Sequence, residues 1–166
     1  MIKYRRLSEE EFKLLESDFI RFLASNSIQA QDWQKLKSDS PDKVDELLEL
    51  FSNTVLEKVY AKAEYLLIVK QTELHAFKMD ESSAILNGVR FKTNNLNLLN
   101  ENEFETVFSS EESFLSLKPE LFSLKKKYDK PKAEEVFFLI KQGAELVDKK
   151  WFDLLKTLKK QELGNN

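Results

Sequence analysis

The sequence predicts an α+β fold: a mainly helical single domain over residues 1–166, with five to seven helices and a central β-hairpin. Apolar residues recur every three or four positions through most of the chain, which is typical of amphipathic helices. The period changes to two between Glu73 and Lys92, on either side of the turn-forming run Asp80-Glu81-Ser82. No glycine- or proline-rich linker divides the chain, and its length is that of one domain.

The first helix is predicted over Ser8 to Asn26. The Ser8 hydroxyl can accept a hydrogen bond from the amide of Glu11, and the Glu11 carboxylate can accept one from the amide of Ser8, which forms a capping box. Leu7 stands at the position where a hydrophobic staple to Phe12 begins. The apolar face consists of residues at helical spacing, namely Phe12, Leu15, Phe19, Phe22 and Leu23.

Two further helices are predicted before the change of period. A short one over Ala30 to Lys37 turns Trp33 and Leu36 inward, and a long one begins at Pro41, since proline suits the first position of a helix. The apolar stripe of the long helix comprises Val44, Leu47, Leu48, Phe51, Val55 and Val59. Because such stripes are buried against other elements, we expect the long first and third helices to pack against each other.

The alternating segments from Glu73 to Met79 and from Ser83 to Lys92 predict a β-hairpin with its turn at residues 80–82. The dipeptide Asn87-Gly88 is a competing two-residue turn and, taken locally, the stronger signal. A turn there leaves the first segment without its sequential partner, so we favour the longer hairpin with Gly88 as a bulge or a point of close approach. A three-stranded meander that uses both turns is the alternative.

Residues 93–102 contain five asparagines and predict an irregular, flexible connection. Asn100, followed by Glu103, is expected to cap a short helix, and a second short helix is expected from Pro119 to Tyr128. A firmer helix begins at Pro131 and ends at Gly143, as a left-handed terminal glycine would end it. Asp148 caps the last helix, whose apolar face comprises Trp151, Leu155 and Leu158.

The composition excludes several classes of function. With no cysteine, the chain has no disulfide scaffold, and with three glycines it has no glycine-rich phosphate loop. No apolar run reaches the length of a membrane helix or a signal peptide. We therefore predict a cytoplasmic, non-enzymatic protein that has no membrane segment, no cofactor and no metal site.

The single histidine is the one candidate for proton transfer. His75 and Glu73 are two residues apart and share one face of the predicted strand. No nucleophile stands at a readable spacing from them, so we favour a surface or half-buried strand histidine and predict no catalytic residue.

Positive charge is concentrated in the C-terminal third. Residues 1–112 carry 14 Lys and Arg against 21 Asp and Glu, a balance of −7, whereas residues 113–166 carry 12 against 8, a balance of +4. Candidate contacts with an anion or partner are Lys118, Lys125, Lys126, Lys127, Tyr128, Lys130 and Lys132, together with Arg5 and Arg6 near the N-terminus. Since the chain has 22 Lys against four Arg, base-specific recognition of nucleic acid is disfavoured.

Several helix-face and boundary patterns carry a resemblance to a known family: Lys3-Tyr4-Arg5-Arg6-Leu7, the run from Phe22-Leu23-Ala24 to Trp33, the stretch from Phe51-Ser52 to Glu64-Tyr65-Leu66, and Gln142-Gly143-Ala144. Over nearly its full length the chain resembles a family of uncharacterised single-domain bacterial proteins typical of Bacteroidetes. That resemblance implies a bacterial, intracellular protein and assigns no functional residue.

The leading functional prediction is a protein that binds another macromolecule through protein–protein interaction. It follows from the missing catalytic residues and the segregated charge. The alternative is binding of nucleic acid or an anionic ligand through the Lys118 to Lys132 basic segment.

Overall fold

A computed structural model of the chain describes residues 1–164 and has an α+β architecture. Within these residues there are eight helices, where the sequence predicts five to seven, and a five-stranded antiparallel sheet that extends the predicted hairpin. The chain divides into two compact units, a first unit over Met1–Val59 and a second unit from Tyr60 onward. No helix among the described residues is both long and apolar enough to cross a membrane.

The first unit contains α1 (Glu9–Leu14), α2 (Glu16–Ser25), α3 (Ala30–Asp39) and α4 (Pro41–Lys62), the last of which continues into the second unit. The predicted capping box is present: the Glu11 amide donates to Ser8 Oγ at 3.2 Å, and the Ser8 amide donates to Glu11 Oε2 at 2.8 Å. The helix predicted from Ser8 to Asn26 is in fact two helices, broken at Leu15.

The break at Leu15 has no signal in the sequence. Its amide donates to the carbonyls of both Glu11 and Phe12, at 3.1 and 3.2 Å, which tightens the end of α1. No side chain caps the start of α2, so the usual marker of a new helix is missing.

A cluster of aromatic rings holds the first unit together. Phe51 of α4 is 3 % exposed, and its ring centroid lies 5.8, 5.0 and 5.3 Å from those of Phe12, Phe19 and Phe22. Trp33 of α3 meets Phe19 edge to face at 5.4 Å. The expected packing of the first long helical segment against the helix that begins at Pro41 is therefore confirmed.

The sheet of the second unit comprises β1 (Tyr65–Val69), β2 (Glu73–Met79), β3 (Ser83–Phe91), β4 (Pro119–Lys127) and β5 (Glu145–Leu146). Its strand order is β4-β3-β2-β1-β5, and all neighbouring strands are antiparallel. The hairpin of β2 and β3 turns at residues 80–82 as predicted. Asn87 and Gly88 lie inside β3, so the alternative meander is wrong.

The prediction of a short helix from Pro119 to Tyr128 is also wrong, because Pro119–Lys127 forms strand β4. Lysine and leucine favour helices when only local propensity is considered. Here all nine residues of β4 pair with β3, from Pro119 opposite Phe91 to Lys127 opposite Ser83. This non-local pairing overrides the local preference. It also explains Gly88: the Phe122 ring of β4 lies over it, which confirms the predicted close approach.

The helices of the second unit are α5 (Glu101–Phe108), α6 (Glu111–Ser116), α7 (Lys132–Lys141) and α8 (Lys150–Gly164). Three predicted boundaries are confirmed: Asn100 accepts from the Glu103 amide, Asp148 accepts from the Lys150 amide, and Gly143 ends α7 with a φ of 96°. The six-residue helix α6 is not predicted from the sequence.

The main hydrophobic cluster of the second unit lies on one side of the sheet, which we call the core face; Leu66, Ile68 and Met79 on the other side are buried as well. The cluster joins the inward residues of β1, β2 and β3 to residues of α5, α6 and α8, including Leu67, Leu74, Ala76, Val89, Phe91, Val107, Phe114, Phe152 and Leu155. The asparagine-rich connection is irregular, as predicted, but it also contributes to the core through Leu96 and Leu98. The amide of Leu98 donates to the carbonyl of Gln71 at 2.8 Å.

Candidate anion-binding site

Strand β4 separates the predicted basic segment into two groups. Because side chains alternate along a strand, Lys125 and Lys127 lie on the core face and Lys126 on the opposite face. Lys118 precedes the strand with a φ of 50°, and Lys130 and Lys132 follow it. The lysines that are contiguous in sequence therefore do not form one continuous surface.

Several of the predicted contact residues are held by neighbours within the chain. Lys126 Nζ lies 3.4 Å from Asp129 Oδ2 and 3.8 Å from Glu135 Oε2. The Tyr128 hydroxyl donates to the carbonyl of Asp80 at 2.9 Å, and burial raises the pKa of Tyr128 to about 12. The half-buried Tyr128 ring is thus fixed in place and is not an open stacking platform.

Arg5 and Arg6 belong to the first unit and contact its carboxylates. The Arg5 guanidinium makes two 2.7 Å hydrogen bonds to Glu11, and this pairing lowers the pKa of Glu11 to about 2. Arg6 contacts Asp45 at 3.2 Å and Glu49 at 3.4 Å. The positive charge of both arginines is compensated locally.

A cavity of about 350 Å³ lies in the second unit, between the core face of the sheet and α8. We call it the lysine-lined cavity. It is bordered by Tyr65, Lys78, Ile85, Asn87, Ser123, Phe152, Asp153, Lys156, Lys159, Lys160 and Leu163. Four of these residues are lysines and one is a carboxylate, so its lining carries an excess of positive charge.

The sheet register explains how the strands contribute to the cavity. Tyr65, Lys78, Ile85 and Lys125 form one row across β1, β2, β3 and β4, each directly opposite the next. Neighbouring strands are about 4.8 Å apart, so the Cα atoms of Lys78 and Lys125 are separated by roughly 10 Å. Lys125 of the predicted segment therefore extends the charge of the cavity toward the sheet edge.

Helix α8 contributes the other cationic wall. Phe152, Lys156, Lys159, Lys160 and Leu163 recur every three or four residues and share one helix face. The face is apolar where it enters the core at Phe152 and cationic farther along. Lys78 Nζ lies 3.3 Å from Asp80 Oδ1, whereas within residues 1–164 none of Lys156, Lys159 and Lys160 forms an ion pair.

The floor of the cavity carries two polar side chains. Asn87 is 5 % exposed; its Nδ2 donates to the carbonyl of Phe152 at 3.4 Å, and its Oδ1 accepts from Ser123 Oγ at 2.8 Å. An asparagine amide has two N–H groups, so one donor of Asn87 is left for a ligand. One amide N–H on the floor and ammonium groups on the walls are an arrangement suited to an anionic oxygen.

Four of the cavity residues were not predicted as contacts from the sequence, namely Lys78, Lys156, Lys159 and Lys160. Lys78 follows the buried Leu74 and Ala76 at alternate positions of β2, so it is a charged residue at an inward position of a strand. Such a residue is a recognisable exception to binary patterning and marks a functional candidate. The α8 lysines are harder to recognise from the sequence than Lys78. Their only signal is that they continue the apolar stripe of α8 with charged residues.

The histidine lies on the other face of the sheet. His75 Nε2 is 2.7 Å from Glu73 Oε2, and Arg90 Nε donates to Glu73 Oε1 at 2.7 Å. Arg90 and, to a lesser degree, His75 lower the pKa of Glu73, whereas burial lowers the pKa of His75. The His75 ring also meets the Phe122 ring edge to face at 5.6 Å. This cluster ties β2, β3 and β4 together across their register.

No three His, Cys, Asp or Glu side chains among the described residues are arranged to hold a metal ion. No curated protein and no solved structure shows significant similarity to the chain. The sequence model of a family of unknown function, DUF6495, matches residues 1–160. Because this match covers almost the whole chain, the protein belongs to that family of unknown function.

Proposed function

We propose that this is a non-enzymatic binding protein whose second unit binds an anionic group of another macromolecule in the lysine-lined cavity. The observation that supports this function is the convergence of Lys78 from β2 with three lysines from α8 around a polar floor. These residues are far apart in sequence, so the fold, and not local composition, brings them together. Lys125 extends the cationic surface at the sheet edge.

The size of the cavity limits what it can hold. A volume of about 350 Å³ is at the lower end of the range for ligand pockets. It accommodates a carboxylate or phosphate group with a short attached chain, and it is too small for a nucleic-acid duplex. A macromolecular partner would therefore present a projecting anionic group.

The attraction between the cavity lysines and an anionic group is large enough to support measurable binding. Two unit charges 4 Å apart attract by about 1 kcal/mol in water and by about 4 kcal/mol at an effective dielectric constant of 20. Contacts with two or three lysines at a partly open site therefore support affinities in the micromolar to millimolar range, roughly −4 to −8 kcal/mol. Such binding weakens as salt increases, because the screening length is about 8 Å at physiological ionic strength.

Lysine, not arginine, supplies this charge. The ammonium group is a compact point charge without the planar fork that reads base edges or grips a phosphate in a bidentate manner. This favours a partner recognised by its charge and placement over one recognised by base sequence. It supports the predicted protein–protein interaction over the predicted alternative of nucleic-acid binding. The bacterial, cytoplasmic setting stays a prediction from the sequence.

Two matched triple variants test the proposal. The cavity variant is K78Q/K156Q/K159Q, and the control, K118Q/K130Q/K132Q, removes the same charge from the predicted basic segment outside the cavity. The probe is a fluorescent poly-glutamate chain, titrated by anisotropy at low salt and again at physiological salt. We expect the cavity variant to weaken binding about 30-fold or more, since each charge-assisted contact is worth about 1 kcal/mol, and the control to change it less than about threefold.

Equal losses in the two variants would show that total charge, not the cavity, governs binding. An unmodified protein that does not bind poly-glutamate even at low salt would refute the proposed function. Circular dichroism and thermal unfolding of both variants establish that the comparison is between folded proteins.

A further inference from the structure

We infer that the anionic partner is an extended acidic segment of another protein, which adds to the sheet as a sixth strand along β4 and directs acidic side chains toward the lysine-lined cavity. This inference rests on the proposed function and names the class of partner. Three observations support it: the open edge of the sheet, the direction of its backbone groups and the charge along it.

Strand β4 is one of the two edge strands of the sheet in the described part of the chain, and the other, β5, has only two residues. Strand β4 pairs with β3 over nine residues and has no strand on its other side. Residues Ser123 to Lys127 are all exposed, so neither helix nor loop covers this end of the strand. A long open edge presents a row of unpaired backbone donors and acceptors.

The register shows which backbone groups point outward. The amide of Tyr128 donates to the carbonyl of Ser82 at 3.0 Å, which fixes position 128 as hydrogen-bonded to β3. In an antiparallel ladder such positions alternate, so the even-numbered residues of β4 bond to β3. The odd-numbered residues direct their N–H and C=O groups away from the sheet, namely Leu121, Ser123, Lys125 and Lys127.

The outward positions are also the ones whose side chains face the cavity side. Ser123 lines the cavity, and Lys125 and Lys127 share the core face with it. In an added strand, the residue opposite each of these positions points to the same face, with Cβ atoms about 5 Å apart. Acidic residues at alternate positions of that strand would then lie beside the two lysines and at the mouth of the cavity.

The charge along the edge selects the partner. Lys125 and Lys127 on the cavity side oppose pairing with a neutral or basic strand, whereas Lys126 on the other face is paired with Asp129 and Glu135. A second copy of this chain would bring the same lysines, with Glu120 as the sole acidic residue of its β4. An acidic strand compensates the lysines, so its charge complements the edge where that of a second copy does not.

The probe for the first experiment is an acetylated peptide of four Val-Glu repeats, whose binding is measured by anisotropy. A second peptide carries N-methyl groups on alternate residues, which removes the donors needed for strand pairing and leaves the charge unchanged. Each hydrogen bond is worth about 1 kcal/mol, so we expect N-methylation to weaken binding at least about tenfold. A single-stranded oligonucleotide with the same number of charges should bind more weakly than the unmodified peptide.

Amide hydrogen exchange of the unaltered protein provides the second readout. On addition of the Val-Glu peptide, the amides of Ser123, Lys125 and Lys127 should gain protection of about tenfold or more, while those of Phe122, Leu124 and Lys126 are already protected. This alternation distinguishes strand addition from general rigidification. Uniform protection, or none, would overturn the inference.

The outcomes separate this inference from the proposed function. If the plain and N-methylated peptides bind equally well and the K78Q/K156Q/K159Q variant binds both more weakly, strand addition is overturned and anion binding in the cavity remains supported. Tighter binding of the oligonucleotide would overturn the choice of an acidic peptide. Peptide-induced dimerisation of the protein would instead indicate pairing between copies and would also contradict the inference. Failure of every anionic probe at low salt would refute the proposed function itself.

Discussion

Replacement of Gly88 by alanine should destabilise the protein through one neighbour, the Phe122 ring. Gly88 lies in the middle of β3, directly opposite Phe122 of β4 on one side and His75 of β2 on the other. A Cβ atom built on Gly88 would have three carbons of the Phe122 ring closer than 3.0 Å. Real Cβ atoms essentially never approach other atoms so closely, so the ring must move away.

Two opposing effects determine the magnitude. Gly88 does not have a positive φ, so alanine fits its backbone and should stabilise a strand position by about 0.5–1 kcal/mol. Displacing the ring costs about 1–3 kcal/mol of overpacking. Part of that cost is the loss of contact with His75 and with the Arg90 guanidinium, which lies 5.7 Å from the ring centroid. The net expectation for Gly88→Ala is a loss of about 1–2 kcal/mol in the free energy of unfolding.

A double-mutant cycle tests this reasoning by urea unfolding of four proteins: unmodified, Gly88→Ala, Phe122→Ala and the double variant. With the ring absent, the effect of Gly88→Ala should change sign, to a stabilisation of about 0.5–1 kcal/mol. The interaction energy of the cycle should then be about 2 kcal/mol. The same destabilisation with and without Phe122 would refute the steric explanation.

Three further predictions concern other parts of the chain. Because burial lowers the pKa of His75, the unfolded chain takes up a proton before the folded protein does as pH falls through about 6.5, so the free energy of unfolding should decrease. H75Q should flatten this pH dependence when unfolding is measured from pH 7.5 to 5.5. Ser8→Ala removes the cap of α1 and should cost about 1 kcal/mol in the same assay, whereas the Asn replacement should cost little. K125V/K127V should convert the open sheet edge into a self-associating one, visible as oligomers by analytical ultracentrifugation, with K130V/K132V as the control that stays unchanged.

Elements defined by local chemistry could be predicted from the sequence. The caps at Ser8, Asn100 and Asp148 and the left-handed Gly143 mark helix boundaries within a few residues, and the structure has boundaries at all four. The turn at residues 80–82 is equally local. In contrast, strand β4 depends on pairing with β3, more than 25 residues earlier in sequence, and no local pattern reveals that partner. The break at Leu15 was not predicted either, because no capping side chain marks the start of α2.

The candidate site could be predicted only in part. The basic segment is visible as a lysine run, but its separation onto two faces follows from the strand that the sequence did not indicate. Lys78 and the lysines of α8 are separated by more than 70 residues, and only the packing of α8 on the sheet brings them to one cavity. Composition therefore indicated an excess of positive charge in the C-terminal third, while the fold determined which of its lysines border the same cavity as Lys78.

The lysines of the open edge, Lys125 and Lys127, are expected both to prevent aggregation through β4 and to select an acidic partner strand. Natural sheets place lysine on open edges because an unpaired strand otherwise invites aggregation. That protection is selective, since it acts through charge and leaves the outward amides of Ser123, Lys125 and Lys127 available. An added strand with acidic residues neutralises the charge of the edge lysines, so it can form the backbone hydrogen bonds to β4 that the lysine charges prevent a neutral strand from forming. Placement of Lys125 and Lys127 on the cavity side of β4 makes this selection directional, because acidic side chains at alternate positions face the lysines of β2 and α8. Protection of the edge and capture of an acidic segment thus require the same residues, and K125V/K127V should lose both together.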